Sequence, residues 1–166
     1  MNRQTWRKNY MPVLEEAATT AVKTRSEEDY QFVLKMVENC YLNGNRFICP
    51  YEERDDDLSG LKRPVMQVLD KQFLLVFTSQ EKALEFDCFK VMEAPVADVV
   101  HMVCELDEKE FSLEGIAINL HPGDNNKVPC IVWKSDLKKI DRNCKDIYLY
   151  FQHPVFQSMV LSGQFS

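Results

Sequence analysis

The fold of this 166-residue chain is decided by the stretch QFLLVFTS at residues 72–79, which is followed directly by QEKALEF at residues 80–86. The five consecutive apolar residues at 73–77 include no charge and no glycine, a pattern typical of a β-strand that is covered on both faces. Ser79 stands where this strand should end, and its hydroxyl can cap the amide groups of a helix that begins at Gln80. The stretch therefore predicts a strand, a cap and a helix in direct succession.

The composition is that of an ordinary globular domain with an acidic balance. Hydrophobic residues make up 45% of the chain and charged residues 28%, and the length is sufficient for one domain with its own core. The formal net charge of -6 supplies no basic field for nucleic acid phosphates or for an anionic membrane surface. Residues 1–24 lack the apolar segment of a signal peptide, so we expect a cytoplasmic protein.

Metal and cofactor chemistry finds little support in the residue spacing. The six cysteines do not have the spacing of zinc ligands, which predicts reduced and mostly buried thiols. Asp55, Asp57, Ser59 and Gly60 match the start of a calcium-binding EF loop, but Met66 occupies the twelfth position, where a glutamate is needed. We therefore expect no metal and no cofactor.

Periodicity and turn residues divide the chain into alternating helices and strands. Helices are predicted at residues 12–24, 27–42, 79–86 and 95–106, in a short segment that Ser135 caps, and after Pro154. Strands are predicted at residues 46–51, 64–69, 72–78, 115–120, 128–133 and 146–152, with a brief one near 89–92. The segments 46–51, 64–69 and 72–78 are predicted to form a meander. Because no regular βαβ rhythm exists, we predict a single-domain α+β fold, with a mixed, mainly antiparallel β-sheet packed by several helices.

Two strand ends carry the polar residues that are most typical of a binding site. Thr78 and Ser79 follow the central strand, and the segment from Asn119 to Asp124 follows the strand at 115–120. If these strands are parallel neighbours, their ends form a single polar rim. The alternative interpretation is a helix cap and a turn without a binding role.

The histidines and the C-terminal region leave further alternatives open. His121 lies in a loop with Asp124 close by, which is the only arrangement that suggests a hydrolase, whereas His101 borders a helix's apolar face and is predicted to be structural. The five glycines form no phosphate-binding loop. The region from Phe151 to Phe165 is rich in aromatic residues and predicts either core or a contact patch that would suit a homodimer.

A resemblance to a known family appears in the central stretch. Val76 to Leu84 (VFTSQEKAL) resembles the core motif of the SseB-type N-terminal domain, a bacterial family named from enhanced serine sensitivity. The strand Gly115 to Asn119 resembles that family's strand ending in Asn-Pro-Gly, although Leu120 and His121 intervene here before Pro122 and Gly123. The resemblance covers residues 27–135, makes 27–166 the family-like α+β domain and leaves 1–26 as an N-terminal helical extension. It implies a role in binding or regulation without established enzymatic activity.

The combined expectation is a non-enzymatic cytoplasmic module that binds a protein partner through the strand-end rim or the C-terminal region. Its acidic surface would suit a basic partner, and an immunity protein that neutralises a toxin is one concrete form. The alternatives are a small-molecule sensor that uses Thr78, Asn119 and His121, and a hydrolase that uses His121 with Asp124. The predicted binding residues are Phe77, Thr78, Ser79, Asn119, His121, Gly123 and Asp124.

Overall fold

The computed structural model describes residues 8–53, 61–62, 65–68, 71–84, 90–105, 113–120 and 129–152. Five helices and seven strands follow one another within these ranges. In chain order they are α1 (Met11–Thr24), α2 (Glu27–Leu42), β1 (Arg46–Glu53), β2 (Leu61–Lys62), β3 (Val65–Val68), β4 (Lys71–Val76), α3 (Gln80–Ala83), β5 (Lys90–Pro95), α4 (Val96–Glu105), β6 (Gly115–Ile118), β7 (Cys130–Trp133) and α5 (Lys134–Gln152).

Within the described ranges, the strands form two sheets, and an isolated bridge joins them. One has the order β2-β1-β5 and is antiparallel throughout, and the other has the order β3-β4-β6-β7, in which β4 and β6 run parallel. The bridge is made where the N–H groups of Ile48 and Phe77 each donate to the other's carbonyl, at 2.9 and 2.8 Å. The predicted α+β class with mainly antiparallel strands is confirmed, and its strands are shared between two sheets.

The central strand β4 is buried on both faces, as its apolar run predicts. Leu74 and Val76 belong to the large core beneath the helices, whereas Phe73, Leu75 and the following Phe77 belong to a smaller cluster on the opposite face. After β4, the Ser79 hydroxyl accepts a hydrogen bond from the Lys82 N–H at 3.3 Å, so the predicted helix cap is confirmed. The helix α3 that it begins extends only from Gln80 to Ala83.

The long helices cover one face of the four-stranded sheet. α1 presents Leu14, Ala17 and Ala18 to the same core into which α2 places Val33 and Val37. Ala17 and Ala18 have short side chains, which lets the two helices approach each other closely. α1 therefore packs as part of the core, while a domain division after residue 26 stays a prediction.

Two predicted elements differ from the structure. Residues 146–152, predicted as a strand, form the end of the continuous helix α5, so that prediction is wrong. Ile140, Cys144 and Tyr148 recur every four residues and all pack on the large core, and this helical contact face outweighs the β-propensity of the aromatic run.

The predicted meander is also wrong in one of its pairings. The hairpin of β3 and β4 is present, but β1 lies between β2 and β5 in the other sheet. The brief strand predicted near 89–92 is β5, which supplies this pairing to β1. The predicted turn after Leu120 and the predicted helix after Pro154 lie outside the described residues.

No helix in the described part of the chain combines the length and apolar character needed to cross a membrane.

Gly115 provides a sensitive test of the packing of β6 against β7. A Cβ atom at this position would collide with the backbone carbonyl of Val132 in the neighbouring strand. Because a backbone group cannot rotate away, we expect Gly115→Ala to lower the free energy of unfolding by about 2 kcal/mol or more. Urea denaturation checks this, with Ile147→Ala as a control at an exposed position on α5. Equal stability of Gly115→Ala and the wild type would contradict the described strand approach.

Candidate functional site

The structure brings the two predicted strand ends together. β4 and β6 are parallel neighbours with Val76 opposite Ile118, so the residues that follow them meet at the same edge of the sheet. Thr78 and Asn119 lie side by side there, and only 7% and 8% of their surfaces are exposed. The two strands are thus parallel neighbours, which is the condition under which the sequence predicts a single polar rim.

Thr78 and Asn119 are joined by reciprocal hydrogen bonds. The Thr78 N–H donates to Asn119 Oδ1 at 3.0 Å, and Asn119 Nδ2 donates to Thr78 Oγ1 at 3.0 Å. Asn119 adopts a left-handed backbone conformation with φ of 62°, which asparagine tolerates better than most residues. Its own N–H donates to the Val76 carbonyl at 3.0 Å, which fixes the point where the chain leaves β6.

A third element, α1, joins this pair through Glu15. Thr78 Oγ1 donates to Glu15 Oε1 at 2.9 Å, and Ser79 Oγ lies 3.4 Å from the same oxygen. We call Glu15, Thr78, Ser79 and Asn119 the rim network. Sequence reasoning did not find Glu15, because a single glutamate beside the apolar face of a helix has no signature until the helix is docked.

The polar groups of the rim network form hydrogen bonds with one another. Burial without a partner would be costly for these groups, and each has at least one partner at hydrogen-bond distance. A ligand that binds at Thr78 or Asn119 would therefore have to replace existing bonds. Phe77 points into the smaller apolar cluster, and His121, Gly123 and Asp124 lie outside the described residues.

A cleft of about 560 Å³ opens between the α1–α2 junction and β7. Its apolar wall consists of Ala21 and Val22 from α1 with Ile131 and Trp133 from β7. Trp133 is 41% exposed. Sequence analysis did not single out this tryptophan, because the sequence does not show whether an aromatic residue at the end of a strand is buried or exposed.

Trp133 is held firmly despite its exposure. Its ring meets Phe73 edge-to-face, with centroids 5.4 Å apart and an interplanar angle of 75°. Lys71 Nζ lies 5.2 Å from the indole centroid, within the range of a cation–π contact. An aromatic side chain that is oriented in advance loses little conformational entropy when a partner covers it.

Tyr30 forms the polar floor between the cleft and the sheet. Its hydroxyl donates to Asp136 Oδ2 at 2.6 Å and accepts from the Trp133 N–H at 3.3 Å. Burial, and next the hydrogen bond to Asp136, raise the pKa of Tyr30 above its usual range. Tyr30 is therefore a permanent donor at neutral pH, and it covers the outward amide of Trp133 at the edge of β7.

Charged residues of both signs surround the cleft. Glu27 and Asp136 line the cleft and Glu28 is the next exposed residue, while Arg25 is the cation among the lining residues. Arg25 adopts φ of 53° at the C-terminus of α1, and its N–H donates to the Ala21 carbonyl at 2.8 Å. The two lining carboxylates outnumber Arg25, and Lys71 adds a second cation next to the cleft, over the Trp133 ring.

A second polar cluster connects three helices around Asp141. Tyr41 donates to Asp141 Oδ1 at 2.9 Å, and His101 Nδ1 lies 3.3 Å from Asp141 Oδ2. His101 thus has a polar partner at the edge of the core, as predicted for a structural histidine. Within the described ranges, no three His, Cys, Asp or Glu side chains are placed to hold a metal ion.

Burial suppresses the ionisation of four of the described cysteine thiols. Cys40, Cys49, Cys130 and Cys144 are buried, and Cys104 is partly buried. Burial raises the pKa of Cys40 and Cys144 to about 12 and the pKa of Cys104 and Cys130 to about 11. Since the thiolate is the nucleophile, these four thiols are suited to packing rather than covalent chemistry.

No model of a known protein family matches this chain, and no curated protein matches it either. The resemblance to the SseB-type domain therefore stays a prediction that depends on residues 76–84 and 115–119.

The rim network predicts an energetic coupling between α1 and the sheet. We expect Thr78→Val, which removes the hydroxyl with little change in shape, to destabilise the chain by about 1–3 kcal/mol. Combined with Glu15→Ala, the two effects should fall short of additivity by about 1 kcal/mol, because both changes remove the same bond. Denaturation of the single and double variants measures this coupling. The control is Glu16→Ala, an exposed neighbour on α1, and a coupling of equal size there would contradict the network.

The raised pKa of Cys40 predicts a loss of stability in alkaline solution. The thiol stays neutral in the folded chain, whereas in the unfolded chain it ionises above its ordinary pKa of 9.0. Its stabilising contribution is complete below that pH and is lost as the pH rises toward about 12. In this interval, we expect Cys40→Ala to reduce the pH dependence of the unfolding free energy by about 1.4 kcal/mol per pH unit.

The matched control for Cys40→Ala is Val37→Ala, a buried change on the same helix without a titrating group. It should lower the free energy of unfolding equally at every pH. If Cys40→Ala and the wild type show the same slope of the unfolding free energy against pH, this thiol ionises equally in the folded and unfolded states, which would contradict the prediction.

Proposed function

We propose that this chain is a non-enzymatic cytoplasmic interaction module, which binds a basic protein partner at the cleft beside Trp133. The observation that carries this proposal is a partly exposed tryptophan, fixed by Phe73 and Lys71, at the margin of an apolar cleft. Tryptophan is among the residues that contribute most to protein–protein binding, particularly next to a pocket that can be desolvated.

The shape of the cleft suits an apolar side chain of the partner. Ala21, Val22 and Ile131 provide its apolar wall, and Trp133 provides a flat aromatic surface at its mouth. Covering these groups would remove apolar area from water, which is the main favourable contribution to association. The fixed position of Trp133 reduces the entropic cost of forming this contact.

The charge around the cleft supports a basic partner. Glu27 and Asp136 line the cleft against one lining cation, Arg25, and the whole chain carries a net charge of -6. Complementary charge mainly accelerates association and selects among partners, and this contribution decreases as salt increases. The acidic margin therefore supplies selectivity, while the apolar wall supplies most of the affinity.

The rim network contributes indirectly to this proposed site. Glu15 ties α1 to the ends of β4 and β6, and the C-terminal half of the same helix provides Ala21 and Val22 to the cleft. The network thus holds one wall of the cleft against the sheet. A role in binding or regulation, which the SseB-type resemblance implies, or an immunity role would use such a rigid recognition surface.

A small-molecule sensor is the second candidate. A cleft volume of about 560 Å³ lies within the range of about 300–1,000 Å³ that is typical of ligand pockets. Its apolar wall with Tyr30 and Arg25 at the margin resembles the usual division between contact area and orienting polar groups.

The test is capture of a partner by the tagged chain from a lysate of its own cells, followed by binding measurements with the purified partner. We expect Trp133→Ala to weaken binding by about tenfold or more, since truncating an anchoring tryptophan commonly costs over 1 kcal/mol. The matched control is Phe32→Ala, because Phe32 is another exposed aromatic residue, at 46% exposure, and does not line the cleft.

The charge contribution is tested in the same assay with Glu27→Lys combined with Glu28→Lys. This variant should bind the partner more slowly and with weaker salt dependence. A partner that binds Trp133→Ala and Phe32→Ala equally well would remove the cleft from the proposal. Thermal stabilisation by a metabolite, abolished by Trp133→Ala, together with the absence of any partner, would favour the sensor instead.

A further inference from the structure

The outer edge of β5 differs from the outer edge of β7. β7 has its outward Trp133 N–H covered by Tyr30, whereas none of the described residues pairs with the outer side of β5. β5 comprises Lys90–Pro95 and pairs along its inner side with β1 over its whole length. An edge strand of this length offers a template for pairing with another strand.

The hydrogen bonds around β1 show which groups of β5 point outward. Both backbone groups of Ile48 bond to Phe77 and therefore point away from β5, so the opposing Glu93 forms no ladder bond to β1. Antiparallel ladders alternate between bonded and non-bonded pairs, which places Val91 in the same class as Glu93. The N–H and C=O groups of Val91 and Glu93 thus point away from the sheet.

We propose that β5 pairs with β5 of a second copy of this chain, which forms a two-fold symmetric dimer. In the register that matches the outward groups, Val91 lies opposite Glu93 of the partner subunit and Met92 lies on the two-fold axis. Val91 of one subunit and Glu93 of the partner subunit then exchange two N–H···O=C bonds. The two-fold axis generates the same pair of bonds a second time. The two β2-β1-β5 sheets become one continuous sheet across the axis.

The side chains favour this register and a second copy of this chain as the partner of β5. A register that places Glu93 opposite its own copy would set two carboxylates against each other, which destabilises a strand pair. In the proposed register Glu93 faces the β-branched Val91, and Arg46 Nη1 lies 4.0 Å from Glu93 Oε2 within the same chain. Val91 is 40% exposed, so the pairing also covers apolar surface.

The proposed dimer is closed rather than open-ended. An isologous interface uses the same strand on both subunits, which leaves no β5 edge available for a third copy. The opposite edge of the sheet is formed by β2, which has only two residues. Short edge strands limit further pairing, so the arrangement favours a dimer over a fibre.

The test compares the wild type with Val91→Pro and Val91→Thr by light scattering and analytical ultracentrifugation from micromolar to millimolar concentration. Proline removes the outward N–H of residue 91 while leaving the ladder to β1 intact, and threonine keeps that N–H and the β-branch. We expect a wild-type dimer, a similar dimer for Val91→Thr, and a dissociation constant raised by about tenfold or more for Val91→Pro. A monomeric wild type, or a dimer unchanged in Val91→Pro, would overturn the proposal.

Hydrogen exchange on the wild type provides a second test of the dimer, which does not depend on whether the variant folds. The Val91 and Glu93 amides should exchange more slowly at high protein concentration, because pairing protects them. The Met92 amide, which faces β1, should be protected at every concentration. Equal exchange of Val91 and Glu93 at low and high concentration would exclude β5 as the interface.

Discussion

The arrangement of the molecule depends on the parallel pairing of β4 with β6. This pairing brings the strand ends at Val76 and Ile118 to one edge and thereby places Thr78 beside Asn119. The reciprocal bonds between these two residues then give Glu15 a fixed position to contact, so that α1 is held against the sheet. A strand register in the interior thus determines where an outer helix lies, and with it one wall of the cleft.

Within the part of the chain that the structure describes, the two faces of the central sheet are covered unequally. Among the described residues, four long helices cover one face, while a smaller cluster that includes Ile48, Phe77 and Ala83 lies on the opposite face. Trp133 stands at the margin of that less covered face, with Phe73 beside it. Exposed apolar surface concentrated at a sheet margin is more typical of recognition than of core packing.

Two tyrosines and two cysteines among the described residues are held in their neutral forms. Burial and, next, hydrogen bonding to a carboxylate raise the pKa of Tyr30 and Tyr41, and burial also keeps Cys40 and Cys144 neutral. Each tyrosine instead donates to an aspartate on α5, which joins α2 to α5 at Asp136 and at Asp141. The contact between Tyr30 and Asp136 lies in the lining of the cleft, so it ties α2 to α5 at that site.

The sequence by itself determined the α+β class, the buried central strand, the Ser79 cap and the pairing of β3 with β4, because these depend on local periodicity and turn residues. It also identified Thr78 and Asn119 as strand-end residues. Only the tertiary structure decided that β1 joins β5, that residues 146–152 are helical, and that Glu15 and Trp133 belong to the candidate sites. These features depend on contacts between residues far apart in the chain, where docking energy outweighs local propensity and no short motif records the outcome.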